Sequence, residues 1–273
     1  MSDALLLSVR DGAVLTLTLN RPAALNSFTT ALHRALFAAL DEAAGDASVR
    51  CVVLTGAGRG FCAGQDLSDP AVAPDPTPGA PPKDLGEVIA HHYRPLVVRL
   101  HTMPVPVIAA VNGVAAGAGA NLALACDLVV AARSASFIQA FTKIGLVPDT
   151  GGTWLLPREV GRARALGLAL LGDKLPAADA ERIGLIWRCV DDAELHGEVQ
   201  ALAQRLAAMP TRALVETRRA MDQAQQTDLI AALDHECVLQ RTLGAAHDYQ
   251  EGVAAFLARR APVFTDRCPP SPR

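Results

Sequence analysis

The sequence predicts an α/β protein in which a strand–turn–helix core gives way to an all-helical tail. Three observations carry this expectation. Short apolar strands followed by turns and helical stretches recur near residues 15, 52 and 108. From Asp192 onward the apolar residues keep helical spacing, broken only at Met209-Pro210, Thr227 and Gly244. The composition, 51% hydrophobic but only 4% aromatic across 273 residues and rich in Ala and Leu, suits a helix-rich chain with a large core. The expected organisation is a core over residues 1–190 followed by a helical region over 191–273.

Taken in order, Leu5–Arg10 and Ala13–Leu19 are apolar stretches split by Asp11-Gly12, a hairpin signal. Asn20-Arg21-Pro22 stops the second strand. Ser27 or Thr29 is placed to cap a helix reaching about Ala44, with Leu32, Leu36, Leu40 and Ala43 on its apolar face. Cys51–Thr55 is a short, fully apolar strand of the kind buried in a parallel sheet. It runs into a glycine-rich turn, residues 56–67. Six prolines between residues 70 and 82 read as a flexible surface loop or lid, and a helix follows from about Leu85 to His101. Later, Leu128–Ala132 and Ser136–Gln139 are short strands, Gly161–Leu171 and Ala177–Ile183 are helical, and Trp187–Val190 is a last strand.

The stretch from Val107 to Thr153 holds the chemistry. An apolar strand (Val107–Val111) enters Asn112-Gly113, then Ala116-Gly-Ala-Gly-Ala120, then a helix ending near Cys126-Asp127. Small residues at a helix start leave unpaired N–H groups open to close approach. Asp149 lies about thirty residues downstream. Two readings stay open on these residues alone. Gly117 and Gly119 let a helix pack tightly on a sheet, or an N–H-rich turn and a lone acid combine anion stabilisation with proton transfer.

Several function classes are excluded. A net charge of −3 gives no general attraction to nucleic acid. Residues 101–126 lack Lys, Arg, Asp and Glu, yet their prolines, glycines and asparagines argue against a membrane span. The six cysteines show neither CxxC nor Cys/His ligand spacing, so no metal centre is expected; they read as buried free thiols of a cytoplasmic protein. The N-terminus shows no signal-peptide pattern. The Gly/Ala run at 115–119 fails the dinucleotide spacing.

Five segments in order resemble the crotonase family of enoyl-CoA hydratases and isomerases. They are Asn20-Arg-Pro-Ala-Ala-Leu-Asn26, Gly60-Phe-Cys-Ala-Gly-Gln-Asp-Leu67, Ala110-Val-Asn-Gly-Val-Ala-Ala-Gly-Ala-Gly119, Pro148-Asp-Thr-Gly-Gly-Thr153 and Glu251-Gly-Val-Ala-Ala-Phe-Leu-Ala-Arg-Arg260. The resemblance implies a crotonase-like ββα superhelix core with a C-terminal helical trimerisation region, giving a homotrimer or a dimer of trimers. It also implies an acyl-CoA thioester substrate, with coenzyme A as part of that substrate and no separate cofactor. The backbone amides of Gln65 and Ala118 would grip the thioester oxygen, and the Ala63 carbonyl would face the adenine amino group. Further substrate contacts are expected at Gly64, Asp66, Leu67, Gly117 and Arg21. Arg21, Arg59 and the Arg259-Arg260 pair are candidates for the coenzyme A phosphates.

The sequence departs from the hydratases of that family. Their two water-holding glutamates would fall at Asn121 and Phe141, and neither is acidic. Asp149 is left as the acid, with a second possible role as a cap of the helix starting near Thr150–Thr153. One acid suits a shuttle that takes a proton from the carbon beside the thioester and returns it two carbons away. Segments 58–66, 111–120, 151–158 and 161–172 resemble the branch of the family that isomerises a ring-epoxidised arylacetyl-CoA to its oxepin. The alternatives are a general enoyl-CoA isomerase or hydratase of fatty-acid β-oxidation, and an acyl-CoA-binding complex component without chemistry. Asp66 is expected to cap a following helix, Asp127 to be structural, and His91, His92 and His101 to be surface or packing residues. Cys62, Ser134 and Ser136 have no partnered base.

Overall fold

The computed structural model describes residues 4–269. Its strands fall into two sheets. The larger has the order β1 (Leu6–Asp11), β2 (Val14–Leu19), β3 (Cys51–Gly56), β5 (Val107–Val111), β7 (Leu128–Ala132), β10 (Arg188–Val190). The smaller runs β4 (Gly60–Cys62), β6 (Val114–Ala116), β8 (Ser136–Ile138), β9 (Lys174–Pro176). β1 and β2 form the expected antiparallel hairpin, with Gly12 at φ +56° in the turn. From β2 to β10 the larger sheet is parallel.

Each of the pairs β3/β4, β5/β6 and β7/β8 gives its first strand to the larger sheet and its second to the smaller, and a helix follows. This is the ββα repeat that the resemblance implies. β5 is buried at every residue, as a strand covered on both faces requires. The second strands have three residues each, too few for a period-2 pattern, so β4 and β6 were not foreseen.

Helix α1 (Thr30–Gly45) is capped as expected by Thr29, whose hydroxyl accepts from Leu32 N at 3.3 Å. It buries Leu32, Leu36, Leu40 and Ala43. The helix expected over Leu85–His101 is three pieces: α2 (Leu85–Val88), a π turn (Ile89–Tyr93) and α3 (Arg94–His101). Pro95, in the first turn of α3, has no N–H to continue the ladder, and the wider turn before it absorbs the break. Helix α4 (Ala118–Leu124) is buried at every residue between the two sheets. Helix α5 (Gly152–Leu171) begins nine residues earlier than Gly161, where the chain kinks at φ +75°. α6 spans Ala177–Arg182.

The tail contains α7 (Leu195–Ala208), α8 (Thr211–Ala224), α9 (Leu229–Gly244) and α10 (His247–Ala258), with breaks where Pro210, Thr227 and Gly244 mark them. These four helices are not equivalent. α7 buries Leu195, Val199, Ala203 and Ala207 and packs across β2, β3, β5 and β7, so it belongs to the core by packing although it follows residue 190. α9 buries none of its residues, and α9 and α10 display Leu229, Ile230, Tyr249, Phe256 and Leu257 to solvent. His247, Asp248 and Asp266 carry ligand-type atoms within 4.8 Å of one another. Here Asp248 accepts the amides of Thr265 and Asp266, and Asp266 accepts that of Asp248, which clamps the terminal segment to α10.

Among the described residues no helix is long and apolar enough to cross a membrane. Cys51, Cys62, Cys126 and Cys268 are buried, as expected of interior thiols. Cys189 is half-buried and Cys237 exposed, because α9 lies outside the core.

Candidate active site

The two glycine-rich turns meet where β4 and β6 end. A Cβ placed on Gly64 would lie 2.8 Å from Ala116 O and 3.4 Å from Ala118 N, so the turns lie against each other. Gly64 has φ +89°, and Gly117, capping α4, has φ +52° and ψ −125°; glycine reaches both conformations without a Cβ penalty. A Cβ on Gly119 would lie 2.2 Å from Cys62 O, so this glycine lets the first turn of α4 sit directly on β4.

Phe28 brackets the Gln65 peptide. Its amide donates to Gly64 O at 2.7 Å, and its carbonyl accepts from Asp66 N at 2.9 Å. The Gln65 side chain is also held, donating to Phe28 O at 3.0 Å and accepting from the Tyr93 hydroxyl at 2.8 Å. Neither Gln65 N nor Ala118 N donates a hydrogen bond to any described group. Ala118 is the first residue of α4, where orphan amides are expected. Two free backbone donors therefore edge the same hollow.

That hollow encloses about 370 Å³. Ala63, Gly64, Gln65, Leu67, Gly117, Ala118 and Asp149 all line it, and the rest of its wall includes Val72, Leu85, Val88, Ile89, Tyr93, Phe141 and Ile144. Among the described residues Asp149 is its sole carboxylate. Burial pushes the Asp149 carboxyl above the ordinary aspartate range, opposed by the Thr150 hydroxyl, which donates to it at 2.7 Å. Asp149 does not cap α5 with its side chain. The cap is Gly151, and the Asp149 carbonyl takes the Gly152 amide. The phenyl ring of Phe141 lies beside Gly117 and gives the hollow an apolar edge there.

Arg21 and Asp66 are not in the lining. They form an ion pair at 2.8 Å, and Arg21 also donates to Ser27 O. Asp66 caps no helix; it accepts the amide and hydroxyl of Ser68 in a tight turn, and Ser68 and Arg21 hold its carboxyl down at about 2. Arg260 pairs with Glu251 at 2.6 Å, while Arg59 and Arg259 are exposed. Asp127 is structural, accepting Val107 N at 2.7 Å and pairing with Arg218. His91 and His101 are exposed, whereas His92 stacks on buried His33 with ring centroids 5.4 Å apart.

Two contributors escaped the sequence reading. Tyr93 forms part of the apolar wall and steadies Gln65, and nothing in its local sequence marks it. Motif comparison shows Asn121 as a missing acid and not as a support. A signal existed: one amide inside an uncharged, apolar helix has to find partners.

A likeness to known proteins follows the same lines. The family model described as enoyl-CoA hydratase/isomerase matches residues 10–267. The 1,2-epoxyphenylacetyl-CoA isomerase of Escherichia coli (strain K12) is 54% identical over 267 residues, covering 98% of this chain and all of that protein. The 2,3-dehydroadipyl-CoA hydratase of the same organism is 39% identical, with 94% and 97% covered. Among solved structures, an enoyl-CoA hydratase of Mycobacterium smegmatis superposes with a TM-score of 0.86 at 34% identity, covering 97% of this chain and 100% of its own. Matched along nearly its full length in both sequence and fold, the chain belongs to the enoyl-CoA hydratase/isomerase, or crotonase, family.

Proposed function

We propose that this chain is an isomerase acting on an acyl-CoA thioester, and that its substrate is ring-1,2-epoxyphenylacetyl-CoA, converted to the oxepin thioester. The observation that carries this reading is the lone carboxylate. Asp149 lines a largely apolar hollow edged by two unpartnered amides, and the family resemblance puts Asn121 and Phe141 where hydratases would carry glutamates. The 54% identity to a 1,2-epoxyphenylacetyl-CoA isomerase supports the choice of substrate.

The chemistry needs one base and an anion hole. The epoxide and the oxepin interconvert as valence tautomers, and the oxepin holds a double bond β,γ to the thioester. Asp149 would take the α proton, and the electron pair would flow onto the thioester oxygen. The amides of Gln65 and Ala118 would hold that oxyanion; donors of this kind are worth about 3–4 kcal/mol each in other enzymes. Protonated Asp149 would then return the proton at the γ carbon, leaving the double bond conjugated. The upward push that burial gives its pKa suits this double duty, since it makes the carboxylate a stronger base and eases the return of the proton to a carbon. The same steps would serve a simple 3-enoyl-CoA.

The apolar residues that α9 and α10 leave exposed support self-association, as a trimer or a dimer of trimers. The free cysteines support a reducing, cytoplasmic setting. The test is product identification from synthetic ring-epoxide thioester by mass spectrometry and NMR. A conjugated isomer of unchanged mass is expected. A product heavier by one water would favour a hydratase, and acyl-CoA binding without turnover would favour a non-catalytic role.

A further inference from the structure

Helix α4 contains one polar side chain, Asn121, and it is fully buried. A buried primary amide must place two donors and an acceptor. The Nδ2 of Asn121 donates to the main-chain carbonyl of Asp149 at 2.8 Å. Its Oδ1 accepts from Nε2 of Gln139, itself buried, at 2.8 Å. The Oε1 of Gln139 is left without a partner among the described residues. Gln139 thus forgoes an acceptor bond while presenting its N–H to Asn121. The Asp149 carbonyl can only accept, which fixes Nδ2 as the end of Asn121 that faces it, and the Gln139 donor matches the Oδ1 end.

The segment being held needs a restraint. Thr150 at φ +53° and Gly151 at φ +81° are consecutive left-handed residues directly after the acid. A threonine in that region is strained and persists only where surrounding contacts enforce it. Gly152 lies so close that a Cβ there would meet Nδ2 of Asn121 at 2.2 Å. The Asp149 carbonyl therefore receives two bonds, one from Gly152 in its own turn and one from α4. α4 is the helix whose first residue, Ala118, offers the free amide.

We propose that Asn121, oriented by Gln139, is a positioning residue that fixes Asp149 relative to the Ala118 amide. At a position where hydratases of the family carry an acid, this chain carries a bracket for a different acid. A carboxylate could not serve there, since it has no proton to give the Asp149 carbonyl. The proposal rests on Asp149 being the base, and its test separates the two claims.

The probe is phenylacetyl-CoA, which has an acidic α position and no double bond to move. Hydrogen–deuterium exchange at that carbon in D2O is followed by NMR, and binding by calorimetry, for the wild type, Asn121→Ala, Gln139→Met and Asp149→Asn. Exchange is expected to vanish in Asp149→Asn. It is expected to fall about tenfold to a hundredfold in Asn121→Ala and less steeply in Gln139→Met, because small misplacements of a reacting group carry costs of this order. Affinity should stay within about twofold throughout, the signature of a loss confined to proton transfer. Gln139→Met removes an oxygen that already lacks a partner, so it decides the matter if Asn121→Ala fails to fold. Exchange near the wild-type rate in both bracket variants, with none in Asp149→Asn, overturns the positioning role alone. So does a loss of affinity as large as the loss of exchange. Exchange that survives in Asp149→Asn overturns the assignment of the base.

Discussion

Gly119→Ala isolates the geometry of the anion hole from every side chain. In an open helix this change is stabilising by about 1 kcal/mol. At Gly119 the new methyl would lie 2.2 Å from Cys62 O and 2.8 Å from Cys62 C. Both are backbone atoms of β4, which is held in the sheet by its parallel pairing with β6, Cys62 opposite Ala115, and cannot rotate aside as a side chain would. The helix start has to retreat by about 1 Å, a displacement that costs on the order of a hundredfold when it separates reacting groups. Overpacking of this kind costs about 1–3 kcal/mol, partly offset by the helix preference of alanine. The expected variant is therefore folded and slightly destabilised, with kcat down about two orders of magnitude. The assay is ultraviolet absorbance of the conjugated thioester, with substrate affinity measured separately. Gly167→Ala, on α5 with open space around it, is the control and should leave kcat unchanged. A Gly119→Ala enzyme with kcat within about twofold of wild type would refute the idea that the Ala118 amide must sit where it does.

Three further outcomes follow from the buried titratable groups and their partners. Asp149 acts as a base when ionised and its carboxyl is pushed upward, so kcat/KM should fall with acid through an inflection above the free aspartate value of about 4. Thr150→Val removes the donor that opposes the shift and should move that limb to still higher pH. His33, stacked on Phe28 with centroids 4.3 Å apart, has its pKa lowered to about 3, first by burial and then by neighbouring His92. Between the ordinary value of 6.5 and about 3 only the unfolded chain binds this proton, so the contribution is complete above 6.5 and lost as the pH falls through that window. The slope is about 1.4 kcal/mol per pH unit at most, and His33→Phe should flatten it in urea melts.

The elements legible in the sequence were those long enough to show a period. β2 alternates and α1 repeats on one face, β1 is marked by the Asp11-Gly12 turn at its end, and β5 is an unbroken apolar run ended by Asn112-Gly113. The short strands of the second sheet were hidden, because pairing over three residues is set by what lies alongside. The π turn before Pro95 and the start of α5 at Gly152 were lost for a related reason, since Pro157 and Gly161 mask a helix that tertiary packing sustains. The glycine-rich turns that line the hollow could be recognised from motif order, as their residues keep a fixed spacing. Their supports could not. Asn121 acts on a main-chain carbonyl 28 residues away, and Arg21 finds Asp66 across 45 residues; neither link leaves a local pattern.

The central claim is that one carboxylate performs both proton transfers, and turnover by Asp149→Asn tests it most directly. The variant keeps size and shape, so acyl-CoA affinity should stay near that of the wild type. Isomerisation of the ring-epoxide thioester is expected to disappear. Conversion at a rate close to wild type would show that some other group moves the proton.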